Sequence, residues 1–527
     1  MRVRMSALPI RAADQIVVGL GFILLIVIGL LCARRSQTDE GYFLAGRSMP
    51  GWVVGFSMMA TIVSSMTFLA LPAFAFGESN WRNCLAHFTY IPAIAIAIFL
   101  FIPFYRRSRV SSAYEYLERR FGLWARLYAA ASFVLFQFFR AGIVLYAVSL
   151  AVQSMLQLEA DSLPWIICIA GAIVSIYTIV GGLQAVIWTD VLQGIALIVG
   201  GFICLPIIVM QLPGGFGQLL QVAAQDDKFN LGSTELTLSG KTVWAYLLAE
   251  FVLFMQLLGT DQTNVQRYAA AKSDKAATQA AAFGCLLAVP TWLYFLFLGT
   301  CLYVFVKVVP ETGLEGLSAD QVFPRFILTQ VPAGLAGFML TGLFASAMST
   351  LDSSINAVAA TVTIDFYKRL WGRQRDTRHY ALVGKMISLL FSIAMISTAC
   401  AIYYTRSSET LDDLQRTLLS IFSGGLLGLF LLGFLTLRVD GRAALVATIV
   451  TAFSVGGWLW VDSALADRFF PSWKVQMPDK LWVGTLANTL LFSVAYGVSW
   501  IVVNRHDRPL NGLTIWTTTK QHTATGE

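Results

Sequence analysis

Thr341 to Lys368 reads TGLFASAMSTLDSSINAVAATVTIDFYK. The stretch is long enough to cross a bilayer, yet its first half is crowded with hydroxyls and holds a carboxylate. Ser346, Ser349, Thr350 and Ser353 recur at i, i+3, i+4 and i+7, one face of a helix. Asp352 and Asn356 flank that face. A charge near mid-membrane costs about 2.5–3.5 kcal/mol unless a partner or a wet cavity receives it. Hydroxyls beside a carboxylate suit a bare hard cation such as Na+, which takes oxygen ligands. The plainer alternative is that Ser and Ala let two membrane helices pack closely. Asp352 has no role in that alternative.

The rest of the chain supports a membrane setting. Of 527 residues, 57% are hydrophobic and only 13% charged, about half the charge of a soluble protein. Apolar runs predict thirteen spans, at 14–33, 51–76, 84–105, 124–156, 162–182, 184–212, 241–266, 277–306, 333–367, 380–403, 414–437, 442–461 and 481–503. Segments this apolar are expected to be helical, since each backbone group must be satisfied internally. The first run is too long for a signal peptide, and Arg34-Arg35 stands where small residues would mark cleavage. It is read as a retained helix.

With the N-terminus outside, 22 Lys and Arg fall in cytoplasmic loops and 13 outside, as the positive-inside rule favours. Topology therefore explains the net charge of +7, and nucleic acid is not invoked. The seven cysteines show no metal spacing, and the four histidines build no metal site. No phosphate-binding loop, hydrolase elbow or large soluble domain is present, so an ATP-driven pump and an enzyme are both excluded.

Two spans carry breaks. The second, GFSMMATIVSSMTFLALPAFAFG, has Ser57, Thr61, Ser64, Ser65 and Thr67 at its centre and Pro72 beyond. That pattern predicts a discontinuous helix whose unwound carbonyls can ligate a cation; a Pro kink patched by hydroxyls is the alternative. In the seventh, Gly259, Thr260, Asp261 and Gln262 interrupt the apolar run. The two broken spans run in opposite senses, with five spans in each unit. This predicts an inverted pair at 51–212 and 241–437, framed by an N-terminal helix and hinge (1–50), an extracytoplasmic loop (213–240) and two C-terminal helices with a tail (438–527).

Single polar residues complete the reading. Arg140 lies deep in a long span, where it needs a protein acid, an anionic substrate or an interface to snorkel toward. Its planar fork fits a carboxylate. Asp190 either lines a helix start or faces the bundle and meets a cation. Thr61 and His87 are candidate substrate-lining residues.

YFLAGRSMP, SMMATIVS, YTIVGGLQAVIWTDVLQ, TDQTNVQR and SAMSTLDSSIN together resemble the sodium:solute symporter family, which has the LeuT-like fold. The resemblance runs from YFLAGRSMP through LLSIFSGGLLGLFLLGF. It implies an all-α integral membrane protein of two inverted five-helix repeats with peripheral helices. It implies a first Na+ on the carbonyls of Ala60, Val63 and Ser346 and the hydroxyls of Ser349 and Thr350. Members similar to bacterial sialic acid transporters add a second Na+, which implies Asp190, Ser349, Asp352 and Ser353; the position of Asp352 is a Ser there. In those members an Arg clamps the substrate carboxylate with two hydroxyls, which match Arg140, Ser64 and Thr67. The galactose-type pattern is missing, with Leu257 in place of a Tyr and no Lys in 277–306.

The expected function is Na+-coupled import of a small organic solute by a monomer in a bacterial inner membrane, with the C-terminus cytoplasmic. A carboxylated sugar such as sialic acid is the leading substrate. A neutral sugar, a polyol, a proline-like amino acid or a monocarboxylate are alternatives within the same fold. A solute sensor without transport is the alternative of a different class.

Overall fold

The computed structural model describes residues 11–63, 65–108, 112–156, 158–310, 312–371, 375–405, 424–461, 478–501 and 510–518. Every regular element among them is helical, and the single extended contact is an isolated bridge between Met49 and Ala271. Among the described residues eight helices are long and apolar enough to cross a bilayer, or ten when two bent pairs each count as one.

In chain order the helices used below are α1 (Ala12–Cys32), α2 (Asp39–Leu44), α3 (Gly51–Ile62), α4 (Ser65–Phe76), α5 (Cys84–Arg107), α6 (Ala113–Phe121) and α7 (Leu123–Leu156). They continue as α8 (Leu163–Gln211), α9 (Gly215–Gln225), α10 (Val243–Gly259), α11 (Gln262–Ala270), α12 (Asp274–Val308) and α13 (Ala319–Gln330). The last are α14 (Leu335–Thr361), α15 (Thr377–Thr405), α16 (Leu426–Leu435), α17 (Gly441–Val461) and α18 (Trp482–Ile501).

Both expected breaks are present. α3 and α4 meet at 51°, and α10 and α11 at 48°. The first break falls at the hydroxyl-rich centre, as expected. It lies at Val63, whose φ of −82° and ψ of 81° leave the helical region, while Pro72 sits inside α4. The hydroxyl-rich centre therefore marks the break, and Pro72 does not. At the second break Asp261 caps α11 by accepting the Thr263 amide at 2.8 Å. The Met49 bridge ties the approach to α3 to the end of α11, with Met49 N donating to Ala270 O and Lys272 N to Met49 O, both at 3.0 Å.

α8 joins two predicted spans. Its 49 residues would extend roughly 74 Å as one straight helix, more than twice the ~30 Å hydrocarbon thickness. Gly182 divides it, with φ 60° and ψ −160°. A side chain there would stand 2.8 Å from the Tyr42 carbonyl, so only glycine serves both the positive φ and the close approach. The 213–240 connection contains a helix of its own, α9. The expected span 414–437 lies partly outside the described residues; its described part holds α16. The thirteen predicted spans exceed the ten that length and apolarity support among the described residues.

α14 forms the buried centre. It packs against α8, α7, α1, α15 and α3, and Ser346, Ser349, Thr350, Asp352, Ser353, Ser354 and Asn356 are all buried. Burying so many polar groups is tolerable only where they meet partners or ligands.

Candidate functional site

Two carboxylates and one guanidinium meet where α3, α8, α11 and α14 converge. Asp190 of α8 accepts from Ser57 Oγ at 2.5 Å and from Arg267 Nη2 at 2.9 Å through Oδ2, and from Ser349 Oγ through Oδ1. Arg267 of α11 also donates to Ser57 Oγ (2.8 Å), Ser353 Oγ (2.7 Å) and the Thr263 carbonyl (2.8 Å). Its side chain is 1% exposed and that of Asp190 0%. Arg267 thus belongs to the bundle, not to a cytoplasmic loop as its place after an apolar run implied. A buried guanidinium is retained because its planar fork satisfies several acceptors together. Asp190 therefore faces the bundle and has a protein cation as its partner, where the resemblance implies Na+.

Asp352 is the second carboxylate. Its Oδ2 accepts from Tyr177 Oη at 2.7 Å and from Thr189 Oγ1 at 3.4 Å, and its Oδ1 from Ser353 Oγ at 3.4 Å. Among the described residues no Lys, Arg or His lies within ion-pair distance of it.

The two helix breaks differ in chemistry. As at any helix end, the last carbonyls of α10 lack intrahelical partners, but side chains supply them. Asn264 Nδ2 donates to Leu257 O (3.0 Å), Tyr268 Oη to Leu258 O (3.1 Å) and Tyr105 Oη to Gly259 O (2.5 Å). At the end of α3, no side chain among the described residues donates to the carbonyls of Ala60, Ile62 or Val63. On α14, which packs against α3, Ser346 Oγ and Thr350 Oγ1 are buried without a hydrogen-bond partner. Thr61 Oγ1 links the two helices, donating to Ser57 O at 2.8 Å and lying 3.4 Å from Ser353 Oγ. Carbonyls and hydroxyls left free in a dry interior need a ligand, and a set made wholly of oxygen suits a hard cation.

Of the candidate substrate residues, Thr61 alone makes a hydrogen bond within this core among the described residues. Arg140, midway along α7, is half-buried and has no carboxylate within ion-pair distance among the described residues. Phe136 lies 5.9 Å beneath its guanidinium, and Asp261 at the second break attracts it electrostatically. His87 stacks on Trp292 at 5.0 Å and 27°, and both its ring nitrogens are buried without partners. Trp292 stacks in turn on Phe254 at 5.5 Å. Thr67 is buried on α4, and Ser64 lies outside the described residues. Sequence reasoning did not single out Arg267, Tyr177, Thr189 or Trp292. Arg267 stands within the TDQTNVQR motif, which is the one signal that pointed to it.

The model of the sodium:solute symporter family matches residues 42–451. The chain belongs to the sodium:solute symporter family. It is 30% identical over 447 residues to the sodium/sialic acid symporter NanT of Aliivibrio fischeri, covering 85% of this chain and 87% of that one. It is 30% identical over 434 residues to the sodium/sialic acid symporter SiaT of Proteus mirabilis, at 82% and 86% coverage. A solved Na+-coupled sialic acid symporter in a substrate-bound outward-open state superposes with a TM-score of 0.84 at 26% identity, over 94% of this chain and 98% of that one. The resemblance read from the motifs is therefore borne out: this is a multi-pass membrane transporter of LeuT-like fold, not an enzyme.

Proposed function

We propose that this symporter imports a small carboxylated solute by alternating access, with a sugar acid of the sialic acid type as its substrate. The carrying observation is the contrast between the two breaks among the described residues: α10 has its terminal carbonyls capped, whereas α3 leaves its own without side-chain donors and packs on α14, which holds two unpartnered hydroxyls. The first Na+ binds there, on the carbonyls of Ala60, Val63 and Ser346 and the hydroxyls of Ser349 and Thr350. Holding α3 to α14, this ion favours the outward-open state. A second Na+ takes Asp190, Ser349, Asp352 and Ser353, which is supported by the carboxylate of Asp352 having no cation of its own.

Arg140 clamps the substrate carboxylate, with Ser64 and Thr67 as hydroxyl partners and Thr61 and His87 completing the lining. The lack of an ion-pair partner for Arg140 and the two similar sialic acid symporters support this reading. A monoanion carried with one Na+ moves no net charge, whereas a second Na+ couples import to the membrane potential at about 2.3 kcal/mol per 100 mV. Units 51–212 and 241–437 are the inverted pair that rocks around the site. The N-terminus lies outside and the C-terminus in the cytoplasm of a bacterial cell, supported by the Lys and Arg distribution and the bacterial relatives.

The test is thermal stability of the purified protein in NaCl against choline chloride, with N-acetylneuraminate, galactose, proline and acetate. Stabilisation by N-acetylneuraminate only with Na+, lost in Arg140→Ala, is expected. Stabilisation by galactose or proline instead would overturn the anion assignment, and indifference to Na+ would overturn the cation site.

A further inference from the structure

Cys168 of α8 and Cys400 of α15 stand more than two hundred residues apart in the chain, yet their thiols come within hydrogen-bonding reach of each other. The contact follows from how three helices cross. Gly171 of α8 meets Ile396 of α15, where an added Cβ would stand 2.5 Å from the Ile396 Cγ1. Gly142 of α7 meets Thr398 of α15 just as closely, with an added Cβ 2.5 Å from the Thr398 Cγ2. Small residues at such crossings let membrane helices approach backbone to backbone. Cys168 lies one turn before Gly171 and Cys400 one turn after Ile396. The antiparallel register that joins Gly171 to Ile396 therefore also brings the two sulfurs together.

Exposure sets this pair apart from the other cysteines. Cys32, Cys84, Cys204, Cys285 and Cys301 are buried, whereas Cys168 is exposed and Cys400 half-buried, and an accessible thiol is the one that reacts. Each of the two stands within two turns of a helix end, Cys168 of the start of α8 at Leu163 and Cys400 of the end of α15 at Thr405. Both ends fall on the side that the Lys and Arg distribution assigns to the outside.

We propose that Cys168 and Cys400 form a disulfide at the outer side of the membrane, tying the segment of α8 before Gly182 to α15. The placement rests on the outward N-terminus of the functional reading above. A bacterial periplasm supplies the oxidant as a protein or glutathione disulfide. The Cys168 thiolate attacks that disulfide and expels one oxidant thiolate. The Cys400 thiolate then attacks the Cys168 sulfur of the mixed disulfide and expels the second. One S–S bond forms, two thiols lose their protons, and the oxidant leaves with both electrons as two thiols. A bond between residues so distant in the chain restricts the unfolded state strongly. Neither sulfur belongs to the sites proposed for Na+ or substrate, so the bond is tested without either.

The experiment is a thiol count on the full-length protein. Cells are lysed in denaturant with N-ethylmaleimide, and the protein is measured by intact mass and by peptide mapping without reductant. Five of the seven cysteines are expected to be alkylated, with Cys168 and Cys400 recovered in one reducible cross-linked peptide. Dithiothreitol should lower the melting temperature of native wild type by about 2–5 °C. It should leave Cys168→Ser and Cys400→Ser unmoved, and each variant should show six alkylated cysteines. Seven alkylated cysteines, both as isolated and after the native protein is incubated with oxidised glutathione, would overturn the proposal. Glutathione held on Cys168 with Cys400 left free would overturn it as well. Seven as isolated but five after oxidised glutathione would keep the pair and overturn the outward orientation on which its oxidation in the cell rests.

Discussion

Asp14 of α1 and Gly337 of α14 lie against each other where the two helices cross, 323 residues apart in the chain. Asp14 Oδ1 accepts the Gly337 amide at 2.8 Å and the Gly334 amide at 2.7 Å, capping the start of the helix that carries the hydroxyl face. Arg11 braces the contact, reaching Asp14 through Nε (2.9 Å) and the Val331 carbonyl through Nη2 (2.8 Å). A carboxylate at a helix N-terminus satisfies free amides and meets the positive end of the helix dipole. A Cβ on Gly337 would stand 2.6 Å from Asp14 Cα, so the close crossing itself depends on glycine. Asp14→Ala is expected to cost about 1–2 kcal/mol. Gly337→Ala should be worse, since the atom it meets is backbone. Thermal melting of both variants checks this; an unchanged Gly337→Ala would show that α1 can withdraw freely.

Arg267 and Asp190 make the second prediction. Removing one partner of a buried ion pair strands the other, at about 3–5 kcal/mol. Arg267→Ala should fall in that range. Arg267→Lys should fail nearly as badly, because one ammonium cannot serve Ser57, Thr263, Asp190 and Ser353 in their separate directions. A lysine variant with wild-type melting and uptake would contradict the four-way role.

Glu118 governs acid stability where the end of α6 meets the start of α7. It accepts from Arg126 Nη1 at 2.8 Å and from Arg369 Nη2 at 2.6 Å, while Arg126 Nε also reaches Asp365 Oδ1 at 2.7 Å. Burial pushes the Glu118 carboxyl up, but the hydrogen bonds and charges of Arg369 and Arg126 outweigh it and hold the group at about 2, below its ordinary 4.5. A carboxyl lowered by folding stabilises the protein fully above its ordinary value, and that stability drains away as pH falls from about 4.5 toward 2. Glu118→Gln should lose about 2 kcal/mol at neutral pH. Its melting temperature should then approach that of wild type as the pH is lowered through this window. Parallel curves across the window would remove Glu118 from the account.

His87 offers a separable test of the substrate lining. Its stack on Trp292 is an apolar contact that a phenyl ring reproduces, whereas its two unpaired nitrogens are polar and replaceable only in function. His87→Phe should keep its melting temperature and raise KM about tenfold with kcat little changed, the mark of lost uniform binding. Loss of melting stability with unaltered KM would make His87 structural.

Local pattern carried much of the architecture. Helical periodicity placed Ser346, Ser349, Thr350 and Ser353 on one face, and all four are buried together. Runs of apolar residues placed most membrane helices within a few residues of their observed ends. The hydroxyl-rich centre marked the first broken helix, and the alternative of a kink at Pro72 fails because Pro72 sits inside α4. Gly259 to Gln262 marked the second. The failures share a cause. Arg267 looked like a loop cation because it stands just past the predicted span 241–266, and nothing nearby in sequence shows that Asp190, 77 residues away, receives it. Asp14 was not singled out in the sequence, because the helix that it caps begins more than three hundred residues later.

By itself the sequence determined an all-helical membrane protein, its two discontinuous helices, its hydroxyl-bearing helix and its family. These follow from periodicity, composition and short motifs, which act over a few turns of one helix. Only the tertiary structure decided which buried charges answer one another. A guanidinium pairs with whichever carboxylate packing brings within reach, and that packing assigned Arg267 to Asp190 and left Asp352 to the hydroxyls of Tyr177, Thr189 and Ser353. The same packing filled the carbonyl ends of α10 with side-chain donors and left those of α3 open, a difference that depends on contacts between helices remote in the chain.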